Sequence, residues 1–240
     1  MKDPCSKIRK KSRFIVELRY EAIPDIFDKE GKIISDINPK VRNFLPHWNT
    51  KVGMVKFIEL PEPNNKHEFA IAHNRTLIAF EDLGSVSDFL SKVDKYLSYM
   101  YSHIGEAVNN IARCGVRFIE VMDMPKVKGI KKVNERIFES FFKLPSGIPI
   151  KPKDVMQKID HEDGHVLLGP TTSEEKWAID SFRDSNHMPF KYGVGLDIDS
   201  YKSDTQVNNI EELRDLVHKV YDRTKAIEES ISKELGLYRD

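Results

Sequence analysis

The sequence predicts an α+β fold of mainly antiparallel sheets, in which each half of the chain supplies several strands and one long covering helix. Three observations lead there. Short runs such as 13–20 and 194–201 alternate apolar and polar residues, the pattern of a half-buried strand. Residues 85–104 place Val86, Phe89, Leu90, Val93, Leu97, Met100, Tyr101 and Ile104 at helical spacing. Residues 210–235 do the same with Ile210, Leu213, Val217, Val220, Thr224, Ile227 and Ile231. The strands come in groups ahead of each helix, which favours a helix laid on one face of an antiparallel sheet. In outline the halves resemble a two-fold internal duplication, with no residue-level repeat beneath it.

Residues 1–12 read as a mobile basic arm with Lys2, Lys7, Arg9, Lys10 and Lys11. Such terminal charge runs are usually only solvated, and phosphate contact is the alternative. A first strand follows at 13–20. Pro24, Gly31 and Pro39 punctuate an irregular segment with a turn at 29–31, and 41–45 is too short to assign. Strands are expected at 54–60, 68–72 and 76–81, the last two joined through His73-Asn74-Arg75, where Asn tolerates a turn. The helix 85–104, capped by Ser85 or Ser87, precedes a strand at 113–121. There Gly115 signals close backbone approach or a bulge, and Pro125 ends the strand.

Lys126, Lys128, Lys131 and Lys132 make a short basic loop at 126–132, and a brief helix is expected at 135–142. Pro145, Gly147, Pro149 and Pro152 stiffen a connector. The organisation is therefore an arm at 1–12, a first half at 13–125, a connector at 126–152 and a second half at 153–240. In that half, strands at 155–159 and 165–168 flank a turn at 161–164. Residues 176–183 fit helix or strand equally, and 194–201 reads as a strand before the terminal helix.

The 240 residues carry 38 basic and 38 acidic side chains, so net charge gives no bulk argument for nucleic acid or membrane. No apolar run approaches the roughly 18 residues needed to cross a bilayer, and no membrane partner is expected. The two cysteines, Cys5 and Cys114, fall in an arm and a core strand, so no disulfide framework is expected. The N-terminal residues are polar and lack the apolar stretch of a secretory leader. A cytoplasmic setting is the expectation.

The strand Ile111-Ala112-Arg113-Cys114-Gly115-Val116-Arg117-Phe118-Ile119 follows a long helix, and Leu196-Asp197-Ile198-Asp199 precedes another. With the RFIVELRY strand at 13–20, these resemble a sporadically distributed family of uncharacterised prokaryotic proteins. That family shows a mid-chain R-x-G-[LV]-R-[YF] strand and a C-terminal L-D-x-D strand. The likeness covers most of the chain, although Glu120 stands near where the family carries Asn or another polar residue. The resemblance implies no catalytic residues. It implies a mobile-element or anti-phage defence setting.

Several motifs invite chemistry. His161-Glu162-Asp163-Gly164-His165 matches the H-E-x-x-H zinc pattern, but Gly164 breaks a helix and Asp-Gly favours a hairpin, so no metal or other cofactor is expected. Asp197 and Asp199 share one strand face and form a carboxylate pair able to hold Mg²⁺; salt bridges are the plainer reading. Cys114 beside Arg113 reads as a small buried hydrophobe rather than a nucleophile. Trp48 and Trp177 pack more readily than they stack on bases. The seam at 210–235 offers self-association or a protein partner, against simply covering a sheet.

The leading reading is a non-enzymatic binding or regulatory protein, with Arg113, Arg117, Lys126, Lys128, Lys131 and Lys132 as candidate binding residues. Two alternatives stand beside it. One is a metal-dependent enzyme acting on nucleic acid through Asp197 and Asp199. The other is a nucleic-acid binder using the basic arm and the 126–132 loop.

Overall fold

Two long strands form the spine of the molecule. β1 (Lys10–Tyr20) sends Phe14, Val16, Leu18 and Tyr20 to one face and Arg13, Ile15, Glu17 and Arg19 to the other, as a period of two requires. β6 (Asn110–Asp123) matches it with Cys114, Val116 and Phe118 on the first face and Arg113, Arg117 and Ile119 on the second. They pair antiparallel from Lys10 opposite Met122 to Arg19 opposite Arg113, with an irregularity at Tyr20. The computed structural model describes residues 10–62, 64–83, 86–105, 108–124, 127, 129–142, 155–175, 182 and 191–237.

The other strands extend this pair on both sides: β2 (His47–Lys51), β3 (Met54–Ile58), β4 (Glu68–Ala72), β5 (Arg75–Glu81), β7 (Gln157–His161), β8 (Gly164–Thr172) and β9 (Tyr192–Gln206). All belong to one nine-stranded sheet, in the order β2-β3-β4-β5-β1-β6-β9-β8-β7, and every neighbouring pair is antiparallel. This corrects the expectation of two sheets, each with its own helix. The mid-chain strand joins the halves by pairing β1 on one edge and β9 on the other. The halves persist as a parallel in element order: strand, helix, an antiparallel meander returning to the first strand, then a second helix.

The helices are α1 (Ile26–Val41), α2 (Val86–Ile104), α3 (Ile130–Phe141) and α4 (Ile210–Glu234). All four pack on the face carrying Phe14, Val16, Cys114 and Phe118. α1 replaces the irregular segment expected at 24–39. Its Ile26, Ile33, Ile37 and Val41 are buried on one stripe, Pro39 falls in the last turn, and a side chain at Gly31 would meet open space. The helix forms in spite of both breaker residues, because burying its apolar stripe outweighs their cost. α3 starts earlier than expected, after Gly129, so Lys131 and Lys132 belong to a helix and not to a loop.

α4 lies across the middle of the sheet. Leu213, Val217 and Val220 are buried in the larger core cluster and Ile231 in the smaller, so the predicted association seam is occupied within the chain. Its start is capped by Asn209, whose side chain accepts the Glu212 N–H at 2.8 Å. Residues 10–12, assigned to a mobile arm, open β1, and Lys11 is buried against Glu81 at 2.9 Å. Lys2, Lys7, Arg9, Lys126, Lys128, Trp177 and residues 143–152 of the 126–152 connector lie outside the described residues, as does 176–183 apart from Phe182, while α3 occupies the middle of that connector. No described helix is long and apolar enough to cross a membrane.

Candidate functional site on the open face of the sheet

Because all four helices share one face, the charged halves of β1, β5, β6 and β9 come together on the other. Among the described residues only Phe182 packs over this open face as part of a core, against Ile119, Val121 and Ile15. The carboxylate pair and the mid-chain arginines meet here. Register sets Arg117 opposite Asp199 and Ile119 opposite Asp197.

Asp197 is 1% exposed, and a buried carboxylate is tolerated only when its charge is answered. Arg117 answers it with a fork, Nε to Oδ1 at 2.8 Å and Nη2 to Oδ2 at 2.6 Å. These bonds outweigh the partial burial of Arg117 and hold its guanidinium above its ordinary pKa. Arg113 reaches sideways. Its Nη2 donates to both oxygens of Asp199 at 2.7 Å, and its Nη1 donates to Glu17 Oε2 at 3.1 Å. The guanidinium also lies 4.9 Å from the centre of the Tyr201 ring.

Gly115 makes that reach available. A Cβ there would stand 2.6 Å from Arg113 Nη1 and 2.9 Å from its Cζ, so the guanidinium crosses the strand where a side chain would be. The close approach expected at Gly115 is thus made by its neighbour's side chain. Glu17 gathers further cations: Arg19 Nε donates to it at 3.0 Å, and Arg75 Nη1 stands 3.8 Å away.

The remaining candidates are placed elsewhere. Lys131 and Lys132 sit at the exposed start of α3, which packs under β8 and β9 on the helix face, across the sheet from Arg113 and Arg117. Lys132 pairs with Glu135 at 2.5 Å. Residues 161–164 form the β7–β8 hairpin turn, with His161 opposite Gly164. Alternation then puts His161 and His165 on opposite faces, so they cannot share an ion. Asp163, in the turn, accepts a hydrogen bond from Arg223, which lowers its carboxyl below the usual range. Cys114 is buried on the helix face, and burial pushes its thiol up to about 12, so it is no thiolate at neutral pH. Among the described residues no cluster of His, Cys, Asp and Glu is arranged to hold a metal.

Sequence reasoning missed Glu17, Arg19 and Arg75. The signal was the alternation of RFIVELRY itself, which sets Glu17 and Arg19 on one face of β1. What could not be read was that this face looks the same way as Arg113. No family model matches the sequence, and no curated protein matches it either.

Proposed function

We propose that this is a non-enzymatic binding or regulatory protein whose ligand surface is the open face of the sheet. The observation that carries the reading is the state of its carboxylates. Asp197 is gripped by the Arg117 fork, and both oxygens of Asp199 accept from Nη2 of Arg113. A divalent cation would have to displace charge-assisted bonds at both residues, and a fork–carboxylate pair is among the stronger polar contacts. The same network positions guanidinium groups along an exposed trough bordered by Arg19, Arg113 and Arg117, which suits recognition better than bond breaking. The likeness to a sporadically distributed prokaryotic family supports a role in a mobile-element or anti-phage system.

The discriminating experiment is thermal melting with millimolar Mg²⁺ or Mn²⁺. The expected result is a melting temperature unchanged by either ion, since an ion that does not bind the native state cannot stabilise it. A rise of several degrees that disappears in an Asp197→Ala/Asp199→Ala double variant would instead establish the metal-dependent enzyme.

A further inference from the structure

Arg75, Arg19 and Arg113 occupy directly opposed positions on β5, β1 and β6, with Arg19 facing Arg75 on one side and Arg113 on the other. Like charges placed directly opposite on neighbouring strands are destabilising. Here three stand in a row at the ~4.8 Å spacing of strands. One carboxylate, Glu17, serves all three, and Arg113 alone has a second, Asp199. Glu17 cannot use up fifteen guanidinium N–H groups at about five per arginine. The side chains of Arg19 and Arg75 are 55% and 54% exposed, within reach of a ligand. An arrangement that folding does not favour, on the part of this face that the described residues leave open, points to a ligand site.

The chemistry of the ligand follows from the donors and from what surrounds them. Guanidinium forks match carboxylates and phosphates. Phosphates of single-stranded nucleic acid are ordinarily held beside aromatic platforms on which bases stack. The trough over the arginine row is lined by Ile15, Leu77 and Gly115 between its charged residues, and the Tyr201 ring beside it is taken up by the Arg113 guanidinium, 4.9 Å from its centre. Leu77 also lines a second trough, which carries Lys51 and Lys56 over β2 and β3. Basic side chains outnumber acidic ones along both troughs, Arg19, Arg113 and Arg117 against Glu17 and Asp199 in the first, and Lys51, Lys56 and Arg75 against Glu62 in the second, where Lys56 is already paired with Glu62 and Glu68. We propose that this row docks an acidic peptide segment of a partner protein, whose carboxylates bind Arg19 and Arg75. This rests on the reading of the open face as a binding surface.

The test is fluorescence anisotropy with the full chain at low salt, using labelled deca-glutamate and labelled ten-residue oligothymidylate as probes. Deca-glutamate is expected to bind, and Arg19→Ala/Arg75→Ala to weaken it about tenfold or more, the loss of charge-assisted hydrogen bonds expressed as affinity. Glu17→Gln, which removes the competing carboxylate, is expected to tighten it. The alanine pair is expected to melt no lower than the native chain, because both side chains are largely in water and repel each other. Failure of deca-glutamate to bind, or binding that the alanine pair leaves intact, overturns the proposal. So does tighter binding of the oligothymidylate through the same two arginines, which would make the ligand a nucleic acid. None of these readouts depends on the divalent-cation melt, so the two readings fail separately.

Discussion

Asp197 and Arg117 make an unequal pair, and the inequality is measurable. The carboxylate is buried while the guanidinium is about half in water, its side chain 47% exposed. Removing Arg117 strands a buried negative charge; removing the charge of Asp197 lets Arg117 turn to solvent. Arg117→Ala is therefore expected to cost about 2–4 kcal/mol in urea denaturation, and Asp197→Asn clearly less. Equal losses would mean that Asp197 has another partner. Gly115→Ala is the companion case. Its methyl would displace the Arg113 guanidinium and free Asp199, with a cost of about 1–2 kcal/mol and a lowered barrier to ligands competing for that carboxylate. None of this was legible one residue at a time. Arg113, Arg117, Asp197 and Asp199 stood out as charged residues on strand faces, but which charge answers which depends on a register spanning some 80 residues of chain.

Glycines separate the elements that the sequence disclosed from those it concealed. Gly164 closes the β7–β8 hairpin with φ 156°, and a Cβ there would lie 2.0 Å from the Asp199 carbonyl oxygen on β9. Gly164→Ala is expected to cost more than about 3 kcal/mol, by combining backbone strain with a clash against the next strand. Gly31 is the opposite. It lies inside α1 with open space around it, so Gly31→Ala is expected to stabilise by about 0.5–1 kcal/mol. Melting both variants checks the pair, and a destabilised Gly31→Ala would contradict the helix. The Asp-Gly signal of the hairpin was plain because turn chemistry is local. α1 was hidden because Gly31 and Pro39 carry strong breaker signals, while its stripe of Ile26, Ile33, Ile37 and Val41 shows only once there is a sheet for it to cover. α4 was legible as a helix, yet its periodicity fits a partner helix as well as its own sheet, and only packing decides between them.

Two buried ionisable groups give the stability of the whole molecule opposing dependences on pH. His67 lies against Phe44 and Phe80, its Nδ1 accepts the Glu81 N–H at 3.3 Å, and burial lowers it to about 4. It takes up its proton on unfolding, so its contribution is complete above the ordinary His value of about 6.5 and is lost as pH falls from there through about 4. Glu120 behaves oppositely. Buried beneath α4, it is held above the usual Glu range, chiefly by burial and despite Lys10 at 3.0 Å. Its proton is bound more tightly in the folded chain, so its contribution is present below the ordinary Glu value and declines as pH rises through its elevated one. The two act in opposite directions over overlapping acid ranges, His67 adding stability and Glu120 losing it as pH rises above the ordinary Glu value, so melting each variant across about pH 4 to 8 separates them. Glu120→Gln should raise the melting temperature on the alkaline side, and His67→Phe should flatten the acid side. A Glu120→Gln variant less stable at pH 8 than the native chain would show that the Lys10 pair outweighs burial. What the sequence determined by itself was local: the strands other than β2, the two long helices, the hairpin turn and the inert cysteine follow from periodicity and turn residues within short windows. What only the tertiary structure decided was the union of the halves into one sheet, the gathering of the helices on one face and the meeting of Arg75, Arg19 and Arg113 in a row. Those depend on pairing between distant strands, and alternation says that a strand has two faces without saying which way either of them looks.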